Sequence, residues 1–210
     1  MLGEIMKTIV SSLTALAVLG SSLMVSSVAK AEMSYNVGYV SEYYYRGFFQ
    51  KNSSASAGAD YENGGFYAGV WSADVGDGLE VDGYFGYGAD LGDLSVSVGF
   101  TGYYYTGDFD DTYEEINTNF GYGPVSLEYS AGTWDGDDSD YSFTALSADL
   151  GAGFSATYGS FGQDFAGSYF ELGFGTTVSE IDLGVSMIFP DDDIAASNGE
   201  ALVLSIGKSF

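Results

Sequence analysis

The sequence predicts an all-β fold: a closed antiparallel transmembrane β-barrel of about 12 strands, preceded by a cleaved N-terminal signal peptide. Three observations carry this reading. The N-terminus has the order of an export signal, apolar residues alternate with polar or tiny ones along most of the remaining chain, and the connections between alternating runs are by turns short and long.

The first element is the signal segment, residues 1–31. Lys7 supplies a short positive region, with Met6 a plausible start because Glu4 sits oddly in such a region. Ile9 to Leu19 and Leu23 to Val25 form an apolar run, and Ala29-Lys30-Ala31 reads as a small-residue cleavage site before Glu32. Such a run is too short and wrongly flanked for a permanent membrane helix. An amphipathic structural helix is the competing reading.

Residues 32–210 suit one domain. Beyond Ala31 the basic residues are Arg46, Lys51 and Lys208, in a chain with 30 carboxylates and a formal net charge of −25. Nucleic acid is excluded as a partner, because phosphate neutralisation needs a basic surface. Acidity of this degree accompanies disorder only where aromatics and apolar residues are few. Here 17% of residues are aromatic and 46% hydrophobic, with 31 glycines and 2 prolines, which suits strands and tight turns.

The strands are expected at 34–45, 53–62, 65–73, 79–90, 94–105, 112–121, 125–134, 141–150, 153–161, 168–178, 181–189 and 200–210. Leu79, Val81, Phe85, Tyr87 and Ala89 share one face, and Glu80, Asp82, Tyr84 and Asp90 share the other. Leu94 to Thr101, Val125 to Ser130 and Ile181 to Phe189 repeat the pattern. Residues 141–150 change phase, with Tyr141 and Phe143 on one face and Leu146 and Ala148 on the other, which reads as a β-bulge.

Long connections are expected at 47–52, 74–78, 106–111, 135–140, 162–167 and 190–199. Tight ones are expected at Asn63-Gly64, Gly92-Asp93, 122–124, Gly151-Ala152 and Ser179-Glu180. This alternation with an even strand number is the layout of outer-membrane barrels, short turns toward the periplasm and loops outward. Aromatics gather at both ends: Tyr35, Tyr61, Phe66, Phe120, Phe154 and Phe210 at the short-turn end, and Tyr45, Tyr104, Tyr141, Phe170 and Phe189 at the other. Two such girdles flank the apolar band of a bilayer-spanning barrel. A soluble β-sandwich would also bury an apolar face, and the charges do not separate the two. Loop sorting and girdles favour the membrane, and with it the bacterial outer membrane and its lipid.

The face opposite the apolar one carries Asp60, Glu80, Asp82, Glu115, Glu128, Glu171 and Asp182, expected to line a pore together with Glu42 and Arg46. Arg46 shares parity with Glu42 and Tyr44 and is expected in or at the mouth of the lumen, paired with Glu42 or an acid of a neighbouring strand. The terminal alternating run Leu202, Leu204, Ile206, Lys208, Phe210 resembles the C-terminal signature of outer-membrane barrels. Phe210 is therefore expected to act as the signal read by the barrel-assembly machinery, with Lys208 snorkelling at the interface.

Histidine and cysteine are absent, which removes His-based acid–base catalysis, Ser-His and Cys-His nucleophile pairs, and zinc sites of the usual ligands. No catalytic, metal or cofactor residues are assigned, and the expected protein is not an enzyme. The acidic runs 135–140 and 191–193 lack the full calcium-loop spacing with a distal Glu and read as solvated loops. Gly86-Tyr87-Gly88 lies within a strand, so it is no phosphate loop.

The stretch NVGYVSEYYYRGFFQ at 36–50 resembles the opening of the TorF family of porins, whose members begin N-V-G-x-V-S-[DE]-Y-x-x-R-G-x-x-Q. The similarity continues through GFYAGVW at 65–71, LEVDGYFGY at 79–87 and YGPVSLEY at 122–129, and ends at SIGKSF, 205–210. Phe48 and Phe49 depart from the small or hydroxyl residue expected before Gln50. The resemblance implies an outer-membrane barrel with a porin-like role and names no substrate. The expected function is passive diffusion of small hydrophilic solutes, cations preferred, through an open pore. Two alternatives stand beside it: a structural or adhesive barrel whose lumen is closed, and a secreted fibre-forming β-protein.

Overall fold

A computed structural model describes residues 31–195 and 199–210. The signal segment expected at 1–31 lies outside them apart from Ala31. Twelve antiparallel strands follow one another: β1 (Glu32–Tyr45), β2 (Phe48–Asn63), β3 (Phe66–Gly76), β4 (Gly78–Leu91), β5 (Leu94–Tyr105) and β6 (Tyr113–Tyr122). The second half comprises β7 (Val125–Trp134), β8 (Ser139–Gly151), β9 (Phe154–Gln163), β10 (Ser168–Val178), β11 (Ile181–Pro190) and β12 (Ala201–Ser209).

Each strand pairs with its sequence neighbours, and β1 pairs with β12 from Asn36↔Ser209 to Val40↔Ser205, closing the barrel. Phe210 extends this seam by exchanging backbone hydrogen bonds with Tyr35, at 2.9 and 3.2 Å. Closure satisfies the ladder at both chain ends and leaves no free sheet edge, the condition for strands to cross hydrocarbon.

Alternation fixes the two faces. Tyr35, Val37, Phe85, Val98, Leu146 and Leu204 stand exposed on the outside. The intervening positions point inward: Glu80, Asp82, Glu115 and Asn117 are buried, and Ser97, Thr101 and Glu128 half-buried. A continuous apolar exterior around a polar interior inverts the arrangement of a soluble protein and suits a bilayer. It defines the fold as a transmembrane β-barrel.

Tight turns join the strands at one end, and the longer connections 106–112, 135–138 and 164–167 lie at the other, together with the described loop residues 191–195. Two expected loops are strand instead. Residues 47–52 belong to a hairpin that turns in two residues, Arg46 (φ 48) and Gly47 (φ 85), the left-handed pair that matches the twist of flanking strands. At 74–78 the β3–β4 ladder runs through Gly76↔Gly78, leaving Asp77 alone as the turn. Polar and small residues made both segments read as loops, but their backbones are paired. The turn between β2 and β3 falls at Gly64-Gly65, one residue beyond the expected Asn63-Gly64, and that between β8 and β9 at Ala152-Gly153, one beyond Gly151-Ala152.

The phase change expected between Phe143 and Leu146 is absent, and the extra residue of this strand is Leu150, at its far end. β8 keeps one register with β7 throughout, and its irregularity with β9 lies at Asp149/Gly151. Tyr141 and Phe143 share parity with Ala145, all three are buried, and Leu146 is exposed. The phase never changes; two aromatics face inward. Tyr45 and Tyr141 likewise leave the expected girdle, because both rings pack inside against other aromatics, whereas Tyr104 and Phe170 stay on the outside.

Candidate functional site in the barrel lumen

β1 and β2 run for 14 and 16 residues, against the 9–11 that cross a bilayer. The surplus turns inward. Tyr43 pairs with Lys51 and Tyr44 with Phe49, so Gln50 is an extra residue on β2, and Ser53 nearby has φ 57. An extra residue bends its strand and re-aims side chains. As a result Tyr43 and Tyr44, adjacent in sequence, are both buried, and the turn enters the barrel.

Arg46 at the tip crosses the lumen to the far wall, which in this strand order is β6 and β7. Its Nη1 donates to Glu115 Oε2 at 2.8 Å, and Nη2 donates to Glu115 Oε1 at 2.9 Å, a bidentate pair. Nη2 also donates to Glu128 Oε1 at 2.6 Å and Ser130 Oγ at 3.2 Å. The guanidinium lies 4.2 Å from the Phe143 ring centroid and 5.0 Å from that of Tyr45, close enough for cation–π attraction.

Glu115 is saturated. Besides Arg46 it accepts from Tyr103 at 2.7 Å, Tyr141 at 2.9 Å and Asn117 Nδ2 at 2.6 Å. With side-chain exposures of 4% and 0%, Arg46 and Glu115 are held by each other rather than by water. Removing either partner of such a pair is costly, since the survivor is left as an uncompensated buried charge.

Aromatic rings surround this network. Tyr45 meets Tyr103 edge-on, Tyr113 stacks on Trp134, Phe165 stacks on Tyr141, and Phe143 stacks on Tyr169. On the other side Tyr44, Phe143, Tyr169, Ile188, Ile194 and Val203 form one buried apolar cluster that joins strands with the β11–β12 loop. Twelve strands enclose more room than wall side chains alone fill, since eight already bring them together. The hairpin supplies the missing volume, and at the long-loop end the lumen is filled.

The loop segment 191–195 covers the tip, because a Cβ on Gly47 would stand 2.8 Å from Ile194 Cδ1 and 2.9 Å from Tyr169 Cβ. Asp191 anchors that loop by accepting from Ser168 N at 2.7 Å and Ser168 Oγ at 2.8 Å. Burial alone would raise its pKa, but these bonds and those from the Asp193 and Ile194 amides outweigh it and hold the carboxyl below its ordinary value.

The remaining acids take other places. Tyr43 Oη donates to Glu80, 3.0 Å from each carboxylate oxygen. Asp82, 1% exposed, receives no hydrogen bond from any described residue on either oxygen. Asp60 accepts from Asn36 Nδ2 at 3.4 Å and from the Tyr84 hydroxyl. Asp182 accepts from Thr177 Oγ1 at 2.6 Å near the short-turn rim, and Glu171 is half-buried on β10. Glu42 pairs across the hairpin with Asn52 and forms no ion pair with Arg46. The expected partner of Arg46 was Glu42 or an acid of a neighbouring strand; the partners come from β6 and β7 on the opposite wall, because the inturned hairpin carries the guanidinium across the barrel.

Tyr43, Tyr103, Tyr141 and Phe143 belong to the site, although none of them was expected from sequence to line the lumen. Tyr103 extends the inward parity of Ser97 and Thr101, a readable signal. Lys51 and Asp74 form an ion pair near the long-loop rim, and Lys208 pairs with Glu180 at 3.1 Å at the short-turn end. Among the described residues, no group of three or more acidic side chains is assembled in a metal-chelating geometry.

The chain belongs to the Gcw_chp family, described as bacterial protein of unknown function, whose profile matches residues 26–157. No curated protein matches. Among solved structures, a membrane protein described under "Unveiling the Mechanism Behind the in-meso Crystallization of Membrane Proteins" is 9% identical, with 85% of this chain and 83% of that one covered and a TM-score of 0.59. The likeness is one of fold. The outer membrane protein OpdK of Pseudomonas aeruginosa is 11% identical (76% and 58% covered, TM-score 0.41), and a BenF-like porin of Pseudomonas fluorescens Pf-5 is 13% identical (88% and 59%, TM-score 0.36). This chain spans a little over half the length of those two.

Proposed function

We propose that this protein is an outer-membrane channel of the porin type, passing small hydrophilic solutes with a preference for cations, whose path is held shut by Arg46. The observation that carries the reading is the inturned β1–β2 hairpin, which crosses an acidic lumen and pairs with the far wall. A wall bearing Asp60, Glu80, Asp82, Glu115, Glu128, Glu171 and Asp182, with Glu42 at the hairpin, presents carboxylates to anything passing through it. Such a field attracts cations and repels anions. A closure carried by a hairpin tip and the groups packed on it, rather than by the strands of the wall, can open without unfolding the wall. The resemblance to the TorF porins supports the same role, as does the family's bacterial origin.

The reading includes export by residues 1–31, removal of that segment from the 32–210 barrel, and recognition of Phe210 by the assembly machinery. It assigns no catalysis. The fibre-forming alternative is disfavoured, because closure of β1 on β12 leaves no strand edges to pair between chains. A permanently closed structural barrel is the second reading, favoured by the complete burial of Arg46 and Glu115.

Planar-bilayer recording separates the two. The purified mature chain is expected to open briefly, with a reversal potential of cation-selective sign under a KCl gradient, and Arg46→Ala to stay open for longer. Screening lengths are about 10 Å at 0.1 M salt, so the selectivity should weaken as salt rises. Silence from both proteins would leave the structural barrel standing, and a potential of chloride sign would remove the cation preference.

A further inference from the structure

The closed lumen holds a charge imbalance. Arg46 is the single cation in the buried network, and it is committed to Glu115 and Glu128. Glu80 and Asp82 are two further buried carboxylates, each 1% exposed. They sit two apart on the inward face of β4, so their Cα atoms are about 7 Å apart and their carboxylates project to the same side. Glu80 has a hydroxyl donor in Tyr43, and Asp82 has no donor among the described residues. The charges that bear on Asp82 are those of Glu80 and Glu115, both of its own sign.

An ionised carboxylate buried in this way is strongly unfavourable unless a positive charge stands against it. Among the described residues no lysine or arginine is left to supply one: Lys51 is paired with Asp74 and Lys208 with Glu180. We propose that Asp82 and Glu80 bind a hard divalent cation of the calcium type inside the lumen. The chemistry selects the class. The site offers only oxygen donors, with no histidine or cysteine in the chain, and two negative charges balance one divalent ion. Because only two carboxylates contribute, water completes the coordination, and binding belongs to the weak, millimolar range of extracellular calcium modules. The ion is then the counterpart of Arg46, neutralising one side of the lumen as the guanidinium neutralises the other.

The proposal does not depend on conduction, and stability in detergent tests it. The mature barrel, stripped with chelator, is titrated with CaCl2 at constant ionic strength, and its thermal midpoint is followed by circular dichroism at one scan rate. Wild type is expected to gain several degrees by 10 mM calcium, through binding to the folded state alone. Asp82→Asn, nearly isosteric, is expected to match or exceed wild type without calcium and to lose most of the calcium increment. Glu80→Gln, which can still accept from Tyr43, provides a second variant and is expected to lose the increment as well. Equal increments in wild type and both variants would place the calcium on the exposed acidic loops and overturn the site. Absence of an increment in wild type, with stabilisation on acidification that Asp82→Asn abolishes, would assign neutralisation to a proton and equally overturn it.

Discussion

The ion pair across the lumen makes a quantitative prediction. Arg46→Ala leaves Glu115 and Glu128 facing one another inside the barrel without their cation. Breaking a buried pair from one side costs roughly 3–5 kcal/mol. Water admitted by the smaller side chain partly rehydrates the survivors, which favours the lower end. Glu115→Ala is expected to cost at least as much, because it also orphans the hydroxyls of Tyr103 and Tyr141 and leaves Asn117 with Ser130 alone as acceptor, and an unsatisfied buried donor costs about 1–3 kcal/mol. Glu128→Ala is expected to cost less, since Glu128 is 13% exposed and accepts only one bond from Arg46. The double variant Arg46→Ala/Glu115→Ala should fall well short of the sum, with a coupling of about 2–3 kcal/mol. Urea unfolding of the barrel in lipid vesicles, followed by fluorescence of Trp134 and Trp71, measures all four corners of the cycle. Additivity within about 0.5 kcal/mol would mean that Arg46 and Glu115 do not meet, and the lumen would have no latch.

Two further outcomes are expected. Gly47→Ala places a side chain at φ 85 and within 2.9 Å of Tyr169, so it should destabilise the turned-in hairpin by about 1–3 kcal/mol and lengthen channel openings; unchanged urea midpoints would show that the tip does not pack there. For topology, single cysteines replacing Asp110, Asp137 or Asp192 should react with an impermeant maleimide on intact cells, while cysteines replacing Gly64 or Ser179 should not; the reverse pattern would invert the barrel.

Much of the fold was legible because a barrel wall is a one-dimensional code. Period-2 alternation at Leu79–Glu80–Val81–Asp82 assigns faces without knowledge of any distant residue, and Gly92, at φ 72, marks the expected Gly92-Asp93 turn between β4 and β5. What alternation cannot say is which strand lies opposite. Arg46 and Glu115 are 69 residues apart in sequence, and Arg46 and Glu128 are 82 apart; only closure through β1 and β12 sets β6 and β7 across from the first hairpin. The hairpin misled for a local reason. Phe48, Gln50 and Asn52 do not alternate cleanly because Gln50 is the extra residue, so a bent strand looked like a loop. Tyr141 and Phe143 misled for the opposite reason, since an inward aromatic breaks the expectation that aromatics face lipid and not the phase of the strand.

The seam between β1 and β12 has a kinetic side. Every other strand pair is continuous through a turn or loop, whereas the seam unites Asn36 with Ser209 and forms against the loop-closure entropy of nearly the whole barrel. A flat or open sheet of these strands would keep its two edges apart. In the closed barrel, Arg46 ties the first hairpin to β6 and β7 on the far wall, so the ring is braced across its diameter as well as hydrogen-bonded around its circumference, like a rim held by a spoke.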